Sequence, residues 1–258
     1  MNRMRFEKDL QAARDAAIRA GELALIHRSK GLAPEDKADL SPVTAADRES
    51  ERLLVTALAG TFPDDGILGE EGASHTGNSG RRWIIDPIDG TREFLRGSSA
   101  WCVLVALEAE GEAELGVAHF PAMKTTFWAV RGEGAFRDGE RISVSSISSA
   151  DRAVLCLNGF NNLGKHTFRD RLLPFLSRYW SVRSLGGCLD AVMVAQGQAD
   201  AWIEPSAQPW DLAALKVISE EAGARFFNFD GGSSIHAGNC VTCVPALEAE
   251  LRAFVRNG

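Results

Sequence analysis

No stretch of this sequence approaches the roughly 18 consecutive apolar residues that a membrane-spanning helix needs, and the segment from Met1 to Leu10 is charged rather than apolar. The expectation is a soluble, unexported, cytoplasmic chain with no membrane partner. An excess of positive charge is also missing, since 35 acidic residues against 28 basic ones leave a formal net charge of -7. The overall balance therefore offers no nucleic-acid footprint. An anionic substrate would have to be attracted by a local device, and bound metal ions are the first candidate. Cysteine is sparse: Cys102, Cys156, Cys188, Cys240 and Cys243 are odd in number and scattered. That suits a reducing compartment better than a disulfide framework. Cys240 and Cys243 have C-x-x-C spacing, but no second pair or histidine cluster accompanies them, so both read as ordinary strand residues. Repeats, low-complexity tracts and long linkers are absent as well.

What is present is a chain of 258 residues, 45% of them hydrophobic, enough for one full core or two tightly joined halves. We take these as residues 1–148 and 149–258 of a single catalytic unit. Over residues 6–28, Leu10, Ala13, Ala17, Ala20, Leu23 and Ala24 recur at helical spacing and predict a first amphipathic helix. Residues 44–59 predict a second, with Thr44 and Asp47 spaced as a capping box and Leu53, Leu54 and Leu58 on its inner face. Trp83-Ile84-Ile85 reads as a short strand ending at Asp-Pro, and residues 102–107 and 116–120 as further strands. Residues 127–130 and 134–136 predict a hairpin, so that the first half reads as helices followed by antiparallel strands. In the second half, residues 153–157 and 199–203 read as strands and 168–176 as a helix. Residues 211–222 predict a helix with Leu212, Leu215, Ile218 and Ala222 on one stripe and Gly223 as its stop.

The sharpest feature is Asp86-Pro87-Ile88-Asp89-Gly90-Thr91, directly after an apolar strand. Two carboxylates three residues apart across a proline-fixed turn can converge on one point, which a hard cation such as Mg²⁺ requires of its oxygen ligands. Pro87 fixes its own backbone angle, so the Ile88 carbonyl could face the same ion. Gly90 lets the backbone approach a ligand closely, and the amides of Gly90 and Thr91, opening onto a short helix at residues 92–95, could hold phosphate oxygens. Upstream, Gly69-Glu70-Glu71-Gly72 places adjacent acids between glycines. Downstream, Asp211 opens a helix. Each has an ordinary reading of its own: an Asp-Gly turn, a solvated acidic loop, and a helix-capping carboxylate.

Five strings occur together and in order: Ser41-Pro42-Val43-Thr44-Ala45-Ala46-Asp47, Gly69-Glu70-Glu71, Trp83 through Thr91, Gly197 through Glu204, and Trp210-Asp211-Leu212-Ala213-Ala214 continuing to Glu221-Ala222-Gly223. In this set the chain resembles the inositol monophosphatase family of metal-dependent, lithium-sensitive phosphatases. The resemblance implies an α/β (α+β) fold, a five-layer αβαβα sandwich with the metal site where the halves meet; the element order alone supports only a mixed class. It implies that Glu70, Asp86, the Ile88 carbonyl, Asp89 and Asp211 bind two or three Mg²⁺ ions. Asp47, Glu70 and Thr91 would then serve catalysis, Asp47 and Thr91 by positioning or deprotonating the attacking water. Asp89, Gly90, Thr91, Gly187, Cys188, Glu204 and Asp211 would face the phosphate and the substrate, with Gly186 beside them. It also implies a homodimer.

The chemistry agrees with such a site. A phosphate monoester dianion repels hydroxide and has a poor leaving group, and divalent ions lower the pKa of water and neutralise phosphoryl oxygens. In-line attack by water needs no nucleophilic Cys or Ser motif. The resemblance implies a small phosphomonoester as substrate, on whose identity two features disagree. The compact Arg183-Ser184-Leu185-Gly186-Gly187-Cys188-Leu189 is similar to the histidinol-phosphate phosphatase branch, although that branch typically has an Asp where Gly187 stands. Glu204 is closer to the inositol-type residue. Inositol monophosphate and L-histidinol phosphate both stand, with sugar bisphosphates and adenosine bisphosphate behind them and a non-catalytic binding relative as the remaining alternative.

Overall fold

The computed structural model describes residues 6–31, 34–36 and 42–256. Ser41, which opens the first of the five strings, lies outside the described residues, as do Met1 to Arg5 of the charged N-terminal segment. The chain begins with α1 (Glu7–Ser29), the two-residue strands β1 (Glu35–Asp36) and β2 (Pro42–Val43), and α2 (Ala45–Thr61). An eight-stranded sheet follows, made of β3 (Gly66–Gly69), β4 (Ser74–His75), β5 (Arg81–Asp89), β6 (Cys102–Ala109), β7 (Glu112–Phe120), β8 (Thr125–Val130), β9 (Gly134–Arg137) and β10 (Glu140–Ile142), with the short α3 (Thr91–Leu95) after β5. Its order is β10-β9-β8-β7-β6-β5-β3-β4. The pairs are antiparallel except β3 with β5, which run parallel, so the purely antiparallel first half expected above needs that correction.

The second half supplies β11 (Val154–Leu157), α4 (Phe160–Leu163), α5 (Leu172–Leu176), β12 (Ser181–Arg183), α6 (Gly187–Ala195), β13 (Ala201–Glu204), α7 (Pro209–Glu221), β14 (Arg225–Phe227), β15 (Cys240–Cys243) and α8 (Glu248–Arg256). Its five strands are ordered β12-β11-β13-β15-β14. The helix expected over residues 168–176 divides into a 3₁₀ turn at Arg169–Arg171 and α5. Cys240 and Cys243 sit at the two ends of β15 and, three apart in a strand, belong to opposite faces. All five thiols are free and buried.

Three apolar interfaces stack these elements into αβαβα. On one outer side, Leu10, Ala13 and Ala17 of α1 and Leu54 and Leu58 of α2 pack on Trp83, Ile85, Val103, Val105, Leu115 and Val117. In the middle, Ile84, Leu104 and Phe120 meet Val192 of α6 and Leu212, Leu215 and Ile218 of α7, which meet Trp202 and Cys156 of the second sheet in turn. On the far side, Leu155, Leu157, Ile203 and Val241 pack against Phe175 of α5 and Leu251 and Phe254 of α8. Strands covered on both faces read as unbroken apolar runs, as Trp83-Ile84-Ile85 does. Each such side chain buried contributes about 1.5–3 kcal/mol. A close crossing is at Gly116 of β7, where an added Cβ would lie 2.4 Å from the Ala214 carbonyl oxygen of α7. Among the described residues, no helix is long and apolar enough to cross a membrane.

Candidate active site

The parity of β5 is what first builds the site. Asp86 pairs with Leu104 and Asp89 with Cys102, so three steps along β5 match two along β6. One extra residue in a strand reverses its side-chain alternation, and Asp86 and Asp89 thus point to one face instead of opposite ones. The strand continues through this bulge to Asp89 rather than ending at Asp-Pro as expected. Pro87, lacking an amide hydrogen, is tolerated at such an irregularity. The Ile88 amide donates to Asp86 Oδ1 at 2.9 Å, and Ile88 itself packs with Ala46, Phe94 and Trp101.

Two further acids arrive from neighbouring elements. β3 is parallel to β5 and ends at Gly69, which delivers Glu70 beside the end of β5. The turn carrying Glu70 is held by Glu51, a buried residue of α2: its Oε2 accepts from the Glu71 amide at 2.8 Å and its Oε1 from the Ala73 amide at 2.9 Å. Asp211 lies in the first turn of α7, which starts two residues earlier than expected, at Pro209. Gln208, not Asp211, is therefore the N-cap, and Asp211 Oδ2 accepts from the Gln208 amide at 2.7 Å.

One oxygen from each of Asp86, Asp89 and Asp211 lies within 4.8 Å of the others, and Asp86 also contacts Glu70. Burial raises the Asp86 carboxyl well above the usual range, and the charges of Glu70, Asp89 and Asp211 push it further. Asp211 is likewise raised well above its ordinary value, by burial and then by Asp89. Asp89 is pushed up to about 6, chiefly by burial, with a hydrogen bond from Cys188 opposing the shift. Such crowding keeps protons on the cluster, because like charges this close cannot all ionise. A cation with oxygen ligands removes the conflict, and four carboxylates fit the preference of Mg²⁺.

Asp47 closes the N-terminus of α2. Its Oδ2 accepts from the Thr44 amide at 2.8 Å and from the Thr44 hydroxyl at 2.6 Å, while its buried Oδ1 has no protein partner. Burial raises its pKa against those two bonds, and the Glu70 charge adds to the rise. An orphaned buried carboxylate oxygen near an acidic cluster is what a site that holds water or an ion would leave in the protein alone. Thr91 begins α3, and its hydroxyl donates to the Ile88 carbonyl at 3.2 Å. Gly90 precedes it with φ +88°, and a Cβ there would lie 3.0 Å from the Ala100 carbonyl oxygen, so only glycine fits.

Glu204 ends β13 and is buried. The Asn158 side-chain amide donates to its Oε2 at 3.0 Å and the Ser206 amide to its Oε1 at 3.3 Å. Burial still pushes this carboxyl up to about 8, and the Asp89 and Asp190 charges act in the same direction. Gly187 leaves room in front of it, since a Cβ there would meet both Asn158 Nδ2 and Glu204 Oε2 at 3.3 Å. Gly186, at φ +120°, caps α6. Cys188 is fully buried behind Asp89, its thiol 3.9 Å from the Asp89 carbonyl oxygen. Glu51, Asn158 and Asp190 were not singled out from the sequence. Glu51 falls one helical turn after Asp47, a signal that was readable; Asn158 and Asp190 reach the site only through sheet and helix packing.

Comparison with known proteins gives the family. A histidinol-phosphatase of Mycobacterium tuberculosis is 39% identical over 256 residues, covering 97% of this chain and 98% of its own. A histidinol-phosphatase of Chlorobaculum parvum is 38% identical over 252 residues, covering 97% of each. The solved structure of an IMPase from Thermotoga maritima matches with a TM-score of 0.86 at 34% identity, covering 96% of both chains. Residues 6–256 match the sequence model of the Inositol monophosphatase family. This chain therefore belongs to the inositol monophosphatase family and is a phosphatase, a hydrolase of phosphoric monoesters.

Proposed function

We propose that the chain is a Mg²⁺-dependent phosphatase of a small amino-alcohol phosphate, L-histidinol phosphate, with inositol monophosphate as the second reading. The observation that carries it is the gathering of Glu70, Asp86, Asp89 and Asp211 into one crowded acidic cluster that a divalent cation would neutralise. These four carboxylates and the Ile88 carbonyl would hold the metal. Bound there, two or three Mg²⁺ ions would neutralise the phosphoryl oxygens and acidify a water.

The chain's own residues would do the rest as a single catalytic unit. The Thr91 hydroxyl donates its hydrogen bond to the Ile88 carbonyl, which leaves the lone pairs of Thr91 Oγ1 to hold the attacking water. Asp47 Oδ1, buried and unpartnered, receives the water's proton, while the two bonds from Thr44 keep the other oxygen fixed. The amides of Gly90 and Thr91 would hold phosphate oxygens.

Glu204 would take the leaving group. Its carboxyl is held near neutral pH by burial, so an ammonium group from the substrate would draw it into the charged form and form a charge-assisted hydrogen bond. That favours an amino alcohol, as do the two relatives named histidinol-phosphatase. The inositol reading rests on the same carboxylate accepting a hydroxyl. Five unpaired thiols support a reducing compartment such as the cytoplasm.

Metal-free protein incubated with histidinol phosphate, inositol monophosphate, fructose bisphosphate and adenosine bisphosphate, with and without Mg²⁺, tests the proposal by phosphate release. Release only with Mg²⁺, and the highest kcat/KM for histidinol phosphate, is the expected result. Undiminished turnover in excess chelator would overturn the metal assignment; preference for inositol monophosphate would move the choice to the second reading.

A further inference from the structure

Asp89 belongs to two donor sets at once. One is the all-oxygen group of Asp86, Asp89 and Asp211; the other is Asp89 with Cys102 and Cys188, again with a ligand atom from each within 4.8 Å of the others. Cys102 is the cross-strand partner of Asp89, and directly opposed residues in an antiparallel pair share a face. Cys188 enters from the first turn of α6, its thiol 3.9 Å from the Asp89 carbonyl oxygen. The two thiols also touch each other. The three donors come from three different elements, β5, β6 and α6, and the phosphatase chemistry proposed above uses neither sulfur.

Thiolate and oxygen donors select different ions, soft or borderline cations against hard ones. A tetrahedral ion with Zn–S bonds of about 2.3 Å holds its sulfurs ~3.8 Å apart, so the three donors need draw together by no more than ~1 Å. Both thiols are fully buried, while Asp89, the residue common to both donor sets, is half-buried.

We propose that Asp89, Cys102 and Cys188 form a second, sulfur-rich cation site that takes a thiophilic divalent ion such as Zn²⁺ or Cd²⁺ and shares the Asp89 carboxylate with the oxygen cluster. Each thiol releases its proton to solvent as its sulfur bonds the ion, so one M²⁺ and two Cys-SH give M(S-Cys)₂ and two H⁺. Asp89 turned toward this ion is withdrawn from the hard-cation site. Thiophilic ions therefore inhibit, a consequence that rests on the phosphatase reading, whereas the site itself does not.

The test titrates metal-free protein with Cd²⁺ and follows the ultraviolet cadmium–thiolate charge-transfer absorption. The band should appear in the wild type and in Cys243→Ala, weaken in Cys102→Ala and in Cys188→Ala with affinity down by roughly 10–100-fold or more, and shift to higher Cd²⁺ as Mg²⁺ is added. Cadmium NMR of the wild type, whose chemical shift reports the number of bound sulfurs, should read two sulfurs without any variant. No band, an all-oxygen cadmium shift, a band that survives in both alanine variants, or a titration indifferent to Mg²⁺ would overturn the proposal. A protein that shows the Mg²⁺-sensitive band yet releases phosphate from no substrate would sink the phosphatase reading and leave this site standing.

Discussion

Asp89 lies where demands conflict: burial and the charge of Glu70 both oppose its ionisation, yet the cation proposed above would require it. Asp89→Asn removes a charge that the metal-free protein carries at a cost. Turnover should fall by roughly 10³-fold, while the thermal midpoint measured in chelator stays level or rises. Wild-type phosphate release from that variant would remove Asp89 from the site. Glu51 makes a complementary case, since it holds the backbone of the turn that carries Glu70. Glu51→Ala leaves the Glu71 and Ala73 amides without their carboxylate, at a cost of roughly 1–3 kcal/mol, and frees the turn that carries Glu70. Urea unfolding should show the loss of stability, and a Mg²⁺ titration of activity should show a raised half-saturation. An unchanged Mg²⁺ requirement would mean Glu51 serves the fold alone. At this scale the acids were legible because they fall in a compact string or beside glycine and helix starts. Cys102 was not: its relation to Asp89 arises from strand pairing across a bulge, which spacing along β6 does not encode.

Among the elements, α7 has the most to do, since one end carries Asp211 and its middle lies flat on β7. Gly116 is what permits that approach, with Ala214 backbone occupying the place of a side chain. Gly116→Ala should therefore push α7 off the sheet, costing roughly 1–3 kcal/mol in urea unfolding and lowering turnover through a displaced Asp211. A variant as stable and active as the wild type would show that α7 can shift without consequence. The helices α1, α2 and α7 were legible from apolar periodicity and stop signals, to within two residues at their starts. Leu251, Phe254 and Val255 give α8 a readable pattern of the same kind. By contrast α6 has glycine at its cap and first position and no polar capping side chain, so nothing local announces it. The end of β5 was misjudged at Pro87 because the bulge that accommodates proline is a property of the pair and not of the strand.

For the whole molecule, the raised carboxyls tie stability to pH and to metal. Unfolded Asp and Glu titrate near pH 4, whereas Asp89 is held at about 6 and Glu204 at about 8 in the folded chain. A group whose pKa is raised on folding binds its proton more firmly in the folded state. Its contribution is fully present below about pH 4 and is lost as pH rises through 6 and 8. Scanning calorimetry in chelator should show a thermal midpoint that falls between pH 5 and 8. Mg²⁺ should offset a growing share of that fall, because a ligand that binds only the folded state stabilises it. Glu204→Gln should flatten the upper part of the slope; a slope identical to that of the wild type would mean the Glu204 carboxyl does not titrate there. The layered architecture was legible only through family resemblance. Strand order and the parallel β3–β5 pair depend on contacts between segments distant in sequence, and local patterns fix the elements without fixing their neighbours.

Asp47 and Asp211 occupy the same place in two different helices, the third position, where one oxygen receives the backbone amide that would otherwise begin the helix unpaired. Each has a structural duty that survives without any substrate. A lineage that stopped hydrolysing phosphate would thus lose Asp89, whose burial burdens an idle scaffold, well before it lost Asp47 and Asp211, while Asp86 keeps the bond from the Ile88 amide. Which of the acids have decayed in a distant relative would accordingly date its departure from catalysis.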